Sequence, residues 1–418
     1  MAKSGKTTFT RRAVLAGAAV AVTGFPSIGR AQSKEPIKIG MPTVLSGRFT
    51  VIGNTIRPAA LMAIEAFNQA GGLNGRQIEL IARDDKARPD EAARVVRELI
   101  NSDGCQIFLS GSTTAGTFAI QEVVRETGHL CIHTVSETSV LTADPKIRAP
   151  NTFRAARQVV HDAIAGAEYA TALSKTRGLK RWMTNSPDFA YGRDATGQFI
   201  DDLKKFDPEV TLVGEAWPKF MAPDYTESLT QVLSLKPDAL FTAHSGGDIV
   251  AFMDQARLYN IFEKVPMFTP NLADLTTLKE IKKLPSDVRS GSRYLASYPP
   301  TAANQAWHDA YVKRTGFEPS NWAWQTAAGT EFLLEAMRKT GSADGHVLAE
   351  AMRGMTIDSP FGVGGKLTMR AEDQTMINYA IGWGVIVAEA PYFKDVQNAD
   401  WSSILRFESE WKKAKGFA

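Results

Sequence analysis

Short apolar runs alternate along the chain with longer segments in which apolar residues recur every three or four positions. Residues 37–41 and 78–82 are β-rich runs, and between them Ile56, Ile64 and Phe67 share one face of a helical segment that ends at a Gly-Gly pair. The same alternation predicts helices and strands at residues 89–104, 106–109, 115–126 and 130–133. Repeated strand–helix units of this kind predict a mostly parallel sheet with helices on both faces.

The alternation restarts after residue 151 and predicts a second unit of similar size. Its helices and strands are expected at residues 159–174, 180–184, 192–206, 211–216, 225–234, 239–243, 248–259 and 266–269. A helical part follows at about 297–355, and a β-rich run occupies 376–387. Two such units side by side create a cleft, and ligands of open α/β sheets bind beyond the carboxyl ends of the strands.

The composition is that of an ordinary globular protein, with 44% hydrophobic and 22% charged residues in a chain of 418. It argues against disorder, collagen and coiled coil. The formal net charge is +3, but residues 1–31 hold five basic residues and no acidic ones, so the remainder carries −2. A nucleic-acid partner therefore lacks its main electrostatic support.

Two cysteines are too few for a disulfide scaffold or a four-ligand zinc site. Cys105 and Cys131 each begin one of two neighbouring predicted strands, which leaves a disulfide and a pair of buried thiols equally open. The acidic pair Asp84-Asp85 is too small a cluster for a cation site, and we expect a solvated strand end there. We expect neither a metal nor a cofactor.

Residues 1–31 are typical of an export signal. Arg11-Arg12 precedes a mild apolar run over residues 13–25, and small residues before Ala31 predict cleavage after it. The arginine pair favours a twin-arginine signal, with an ordinary secretory signal as the alternative. Gln32 follows the predicted cut, so no lipid anchor is expected. No later segment is long and apolar enough to span a membrane, and the predicted product acts in the periplasm.

Several motifs occur in an order that resembles the leucine/isoleucine/valine-binding protein family, the type I periplasmic solute-binding proteins of ABC transporters. They are Ile-Lys-Ile-Gly at 37–40, Leu-Ser-Gly at 45–47, Ala-Gly-Gly-Leu-Asn-Gly-Arg at 70–76, Arg-Asp-Asp at 83–85, Phe-Arg at 153–154, Ala-Tyr-Gly-Arg at 190–193, Lys-Pro-Asp-Ala at 236–239 and Gln-Ala-Arg at 255–257. No single motif is specific, but together they cover nearly the whole mature chain.

The resemblance implies two doubly wound parallel-sheet lobes of the α/β class, joined by three hinge segments. We expect lobe 1 at residues 37–155 and 297–355, and lobe 2 at 156–296 and 356–418. The lobes would close on a small-molecule ligand, and the closed form would dock on the transmembrane subunits of an ABC permease. Because closure takes place within one chain, a monomer is expected.

Two strand ends of the first unit supply candidate ligand contacts. Ser112, Thr113 and Thr114 follow one strand and open a helix, where free N–H groups favour an anion. The family holds the ligand carboxylate with this loop; simple N-capping is the alternative. A nucleotide-binding loop is a poor alternative: the spacing of Gly111 and Gly116 fits, but a threonine, residue 117, stands where the phosphate-binding lysine belongs.

The next strand end carries Val135, Ser136 and Thr138, where the resemblance also implies ligand contacts. Glu137 stands at the family's usual threonine position, and it either caps the following turn or meets a positive ligand group. In the second unit the resemblance places Tyr191 over the ligand and puts His244 and Ser245 in the cleft. The sequence around Ser245 also resembles the nucleophile elbow of α/β-hydrolases, and a plain tight turn is the third interpretation.

Two positions depart from the branched-chain amino acid pattern. Asn271 lies where the family often supplies an acid to the ligand's ammonium group, and Ile52 lies where those binders have a cleft tyrosine. An aromatic or aliphatic acid without an amine therefore competes with an amino acid as the ligand. Trp322 and Trp324 either line an apolar pocket or belong to the core.

The predicted function is capture of a small carboxylate-bearing solute, amino acid or aromatic or aliphatic acid, and its delivery to an ABC permease, with no chemistry on the ligand. A periplasmic ligand sensor is the alternative among binding proteins. The alternative of another class is a secreted serine hydrolase that uses Ser245.

Overall fold

The computed structural model of the protein describes residues 35–418, apart from the side chain of Arg48. The predicted export signal at 1–31 and its cleavage site lie outside the described residues. Within the described part of the chain, no helix combines the length and the apolar character needed to cross a membrane.

The first part of the chain alternates strictly between strands and helices, as the periodicity predicts. Its elements are β1 (Ile37–Thr43), α1 (Thr50–Gln69), β2 (Ile78–Asp84), α2 (Pro89–Asn101), β3 (Ile107–Ser110), α3 (Thr114–Thr127), β4 (Leu130–His133), α4 (Val140–Ala143) and β5 (Thr152–Arg154). Among the described residues the five strands form one parallel sheet in the order β2-β1-β3-β4-β5. The carboxyl ends of β1, β3 and β4 therefore open at one edge of this sheet.

The second part repeats the pattern and forms a second sheet. Its elements are α5 (Val159–Arg177), β6 (Arg181–Asn185), α6 (Ala190–Phe206), β7 (Thr211–Ala216), α7 (Thr226–Leu235), β8 (Ala239–Phe241), α8 (Gly247–Leu258), β9 (Met267–Thr269), α9 (Leu275–Leu278) and β10 (Val288–Ser292). These five strands are parallel to one another where they pair.

The last part holds helices, a small sheet and a hairpin. Its elements are α10 (Ala302–Thr315), α11 (Asn321–Thr340), α12 (Gly345–Met352), β11 (Thr356–Asp358), β12 (Lys366–Met369), β13 (Met376–Ile377), β14 (Gly382–Ile386), β15 (Phe393–Asn398) and α13 (Trp401–Lys415). The helical character predicted for 297–355 is confirmed.

The second sheet is mixed rather than purely parallel. Its strand order is β15-β14-β10-β9-β8-β6-β7, and β14 runs antiparallel to both β10 and β15. The short connection between β14 and β15 makes them a hairpin, and an antiparallel edge of this kind is common on an otherwise parallel sheet. The α/β class with two doubly wound lobes is confirmed, with this correction at one edge.

The chain passes between the two sheets three times, which gives three hinge segments. It leaves the first sheet between β5 and β6, returns after β10 to helices that pack on the first sheet, and leaves again between β13 and β14. The predicted lobe boundaries assign β11–β13 to lobe 2, but these strands form a separate small sheet whose neighbour Thr375 pairs with Arg154 at the edge of the first sheet. The lobe boundaries stay a prediction.

The two cysteines are buried free thiols. Neighbouring strands β3 and β4 place Phe108, rather than Cys105, opposite Cys131, so the two sulfurs are out of register for a disulfide. Burial raises the pKa of the Cys105 thiol to about 11 and also raises that of Cys131. Both side chains therefore act as small apolar residues of the core.

A buried cluster of charges holds the C-terminal helix α13 in place. The guanidinium of Arg370 donates to both carboxylate oxygens of Glu408 at 2.6 and 2.7 Å, and it also contacts Asp373. His161 from α5 lies 3.2 Å from Glu408. Burial acts to raise the pKa of Glu408, but His161 and Arg370 outweigh it and hold that pKa well below its usual range.

Glu408→Gln should destabilise the protein strongly, because it removes one of the two buried carboxylates, Glu408 and Asp373, that balance the charge of the buried Arg370. We expect a loss of about 3 kcal/mol in the free energy of unfolding, measured by urea denaturation. Glu410→Gln is the matched control two residues along α13, since Glu410 contacts Lys205 at the surface and should change stability little. Equal effects of the two substitutions would contradict the role given to the cluster.

Asp85 directly follows β2 and is fully buried, so the expected solvated strand end is wrong for this residue. Burial raises the pKa of its carboxyl group to about 6, and it outweighs the hydrogen bond that the Ala87 N–H donates at 2.9 Å. Among the described residues no group of three or more potential metal ligands surrounds Asp84-Asp85 or any other site.

Asp85→Asn should remove a pH-dependent part of the stability. A carboxyl group with a raised folded pKa stabilises the native state when protonated; this contribution is full below the unfolded pKa of about 3.9 and is lost as the pH rises through the folded pKa. Relative to the wild type, the variant should gain about 2 kcal/mol between about pH 4.5 and about pH 7.5, measured by urea denaturation. The exposed variant Asp90→Asn is the control, and parallel pH profiles of Asp85→Asn and the wild type would contradict the assignment.

Candidate functional site

A cavity lies beyond the carboxyl ends of β1, β3 and β4, between the two sheets. It contains about 460 Å³ of space free of protein atoms, part of it open to solvent. Its lining comes from both halves of the chain: Phe49, Ile52, Ser112, Thr113, Thr114, Val135, Ser136, Glu137, Phe189, Tyr191, Phe220, Ser245, Asn271 and Trp322.

Part of the cavity lining is suited to an anion. Ser112, Thr113 and Thr114 all line it, and Thr113 is the N-cap of α3. The Thr113 backbone is extended and no side chain caps the helix, so the alternative of simple N-capping is not supported. The first N–H groups of α3 and the positive end of its dipole therefore remain available to a ligand carboxylate.

The loop after β4 adds a second polar edge. Val135 and Ser136 line the cavity, and the Ser136 hydroxyl is buried with no hydrogen-bond partner among the described residues. A buried hydroxyl without a hydrogen-bond partner lowers the stability of the fold, and the Ser136 hydroxyl is free to bond an atom of a ligand. Thr138 does not line the cavity. Its hydroxyl donates to Asp194 Oδ2 at 2.8 Å and so joins this loop to α6.

A row of aromatic rings also lines the cavity. Phe49 and Phe220 stack with ring centroids 5.3 Å apart, and Phe189 lies 4.1 Å from Phe220. Tyr191 continues the row, 5.8 Å from Phe189. Phe49 belongs to the short helical turn before α1, whereas the other three rings belong to the second half of the chain. Trp322 lines the cavity as well, while Trp324 is fully buried in the core.

A close backbone approach brings the two halves together beside these rings. Gly246 precedes α8 with a φ of +54°, and a Cβ atom there would lie 3.2 Å from the ring of Phe49. Another residue at this position would have to adopt a strained left-handed conformation and push against the ring. Glycine at 246 therefore allows the Ser245 loop to reach the cavity.

A buried network around Arg157 holds three residues of the cavity lining in place. Its guanidinium lies 2.5 Å from Glu137 Oε2, and its other terminal nitrogen is in contact with Asp162. It also donates to Asn271 Oδ1 at 2.7 Å, and the Tyr191 hydroxyl donates to the same oxygen at 3.0 Å. Glu137, Tyr191 and Asn271 are thereby fixed in one arrangement.

A second buried arginine balances the charge of this network. Arg293 lies 3.1 Å from Asp162 and donates to the Pro270 carbonyl at 3.0 Å. Two guanidinium groups thus face the carboxylates of Glu137 and Asp162. Burial lowers the pKa of Arg293 to about 9 and raises that of Tyr191, so the tyrosine stays a neutral hydroxyl near neutral pH.

His244 and Ser245 have different surroundings. Ser245 lines the cavity, but His244 is fully buried away from it, where its Nδ1 lies 2.6 Å from Asp248 Oδ2. The His244 Nε2 atom has no hydrogen-bond partner among the described residues, so it does not activate Ser245. His308 is engaged by Glu318 at 2.7 Å. The nucleophile-elbow interpretation of Ser245 has no support in this geometry.

Eight of the ten predicted ligand contacts line the cavity, and the other two, His244 and Thr138, do not. The Thr138 and His244 side chains instead hydrogen-bond to the carboxylates of Asp194 and Asp248.

The sequence prediction missed Phe49, Phe189 and Phe220, because single aromatic residues in loops carry no periodic signal. It also missed Arg157, whose only sequence signal is a charge inside a predicted crossover between the two units.

The sequence profile of the periplasmic binding protein family matches residues 36–382. A leucine-, isoleucine-, valine-, threonine-, and alanine-binding protein from Pseudomonas aeruginosa is 34% identical over 115 residues, which span 28% of this chain and 30% of that protein. The similarity to this relative therefore covers less than a third of its length.

Two solved structures share the fold. A solute-binding protein of an ABC transporter from Rhodopseudomonas palustris BisB5, in complex with 3,4-dihydroxybenzoic acid, gives a TM-score of 0.77 at 24% identity, covering 88% of this chain and 96% of that one. The substrate-binding protein LivJ from Streptococcus pneumoniae, in complex with isoleucine, gives 0.75 at 19% identity, covering 87% and 99%. With a profile match over most of its length, this chain belongs to the periplasmic binding protein family.

Proposed function

We propose that the protein binds a small aromatic acid in this cavity and delivers it to the transmembrane subunits of an ABC permease. The observation that carries the proposal is the make-up of the cavity lining, which combines anion-binding groups with aromatic rings. An uncapped helix N-terminus and the unpartnered Ser136 hydroxyl contribute the polar part, and a row of rings contributes the apolar part. A carboxylate attached to a flat apolar body matches both kinds of lining.

An α-amino acid matches the cavity less well. Its ammonium group needs a free carboxylate or several acceptors, and the one carboxylate in the lining, Glu137, is already paired with Arg157 at 2.5 Å. Asn271, at the position where the family often supplies an acid, presents an amide oxygen that two donors already share. The related structures include both ligand types, an aromatic acid and an amino acid, so the fold accommodates either.

Delivery depends on the difference between open and closed forms. The Phe49–Phe220 stack and the Thr138–Asp194 hydrogen bond join parts of the chain that belong to different sheets. A ligand that touches both sides favours the closed form in proportion to the additional contact. A permease that recognises the closed pair of outer surfaces would then receive only loaded protein. The predicted export signal is consistent with this role in the periplasm, where the chain would act as a monomer.

A binding panel tests the ligand class. The mature protein, unfolded and refolded to remove carried ligand, should bind benzoate or phenylacetate in isothermal titration calorimetry, and its melting temperature should rise with ligand concentration. Leucine and butyrate are the matched controls for an amine-bearing and a ring-free acid, and we expect neither to bind measurably. Binding of leucine without binding of any aromatic acid would contradict the proposal.

Ser136→Ala should weaken binding of the aromatic acid about tenfold to a hundredfold, because a hydrogen bond to a charged group is lost in a buried site. Ser110→Ala is the control. The Ser110 hydroxyl is also buried without a partner among the described residues, but it does not line the cavity. Calorimetry of both variants should show the loss only for Ser136→Ala. A similar loss in both, or in neither, would show that Ser136 does not contact the carboxylate.

A further inference from the structure

Glu137 is an unusual side chain for a cavity that is proposed to receive an acid. It lines the cavity beside Ser136, and only 6% of its surface is exposed. A bare carboxylate there would repel the carboxylate of the ligand and attract an amine. The structure therefore needs a positive charge close to Glu137 if the cavity is to accept acids.

Arg157 supplies that charge from within the protein. Its guanidinium lies 2.5 Å from Glu137, and Arg157 is 3% exposed. Burial acts to lower the pKa of Arg157, but the carboxylate of Glu137 and the Tyr191 hydroxyl outweigh it and raise that pKa, so the positive charge is permanent.

The position of this charge is fixed by several contacts. The Arg157 backbone N–H donates to Gln325 Oε1 at 2.7 Å, and the guanidinium is held by Asp162 and Asn271. These partners come from α11, α5 and the loop after β9. These contacts hold Arg157 beside Glu137 when a ligand enters. An incoming ammonium group would therefore lie next to a guanidinium group.

We propose that Arg157 is the residue that sets the charge class of the ligand: it neutralises Glu137 and so excludes amine-bearing solutes from the cavity. This inference rests on the proposed function, since it explains why the site takes an acid. Arg157 contacts Glu137 rather than the ligand, so it acts as a positioning and charge-balancing residue. Without it, the same cavity would present one buried carboxylate and would select a cation.

The test is a double-substitution cycle on Glu137 and Arg157, measured by calorimetry with benzoate and benzylamine, which share a ring and differ in charge. Arg157→Met should bind benzylamine at least about tenfold more tightly than the wild type and should bind benzoate at least about tenfold more weakly. Glu137→Gln preserves the shape of the side chain and leaves Arg157 without this partner, so it should bind benzoate more tightly. The double variant should lose the affinity for benzylamine.

Glu408→Gln is the control, because it disrupts a buried glutamate–arginine pair outside the cavity lining and should change neither affinity. Absence of a benzylamine gain in folded Arg157→Met would overturn the inference. If that variant does not fold, Glu137→Gln decides, and unchanged or weaker benzoate binding would overturn it. Failure of the wild type to bind any aromatic acid would instead remove the proposed function, while the benzylamine result with Arg157→Met would still decide the role of Arg157.

Discussion

A buried arginine needs buried hydrogen-bond acceptors, and in this protein the acceptors of Arg157 come from both halves of the chain. Arg157 lies in the first crossover, between β5 and α5, and its side chain reaches Glu137 from the first sheet's loops as well as Asp162 and Asn271 from the second half of the chain. Loss of either carboxylate, Glu137 or Asp162, would leave part of the guanidinium charge uncompensated away from water, which is unfavourable. The positions of Glu137, Tyr191 and Asn271 in the cavity lining depend on this one set of contacts.

The rest of the site follows from the geometry of parallel sheets. Strand ends collect at one edge, so the loops after β1, β3 and β4 meet without help from long-range sequence signals. The first of these loops carries Phe49, the second starts α3 with free N–H groups, and the third carries Ser136 and Glu137. The second half of the chain closes this arrangement with aromatic rings, which give a ligand a large contact area for little loss of side-chain freedom.

Much of this arrangement could be predicted from the sequence, and the remainder shows which signals a sequence lacks. Long amphipathic helices and apolar strands such as β1 and β4 have strong periodicity, and their positions were predicted closely. β10 contains Arg289 and Ser290, so neither alternation nor an apolar run marks it. The strand-end rule found Ser112 and Ser136 because it depends only on local order. Phe220 and Arg157 reach the site through tertiary packing, for which one sequence without relatives gives no pattern.

The free thiols have a consequence for where the chain is able to fold. Cys105 and Cys131 are buried, and burial raises the pKa of both thiols, so little of the reactive thiolate is present for oxidation. No covalent cross-link between them contributes to the native state. The same fold is therefore compatible with a reducing and with an oxidising compartment, and its maturation needs no change of redox environment on the way from synthesis to the site of action.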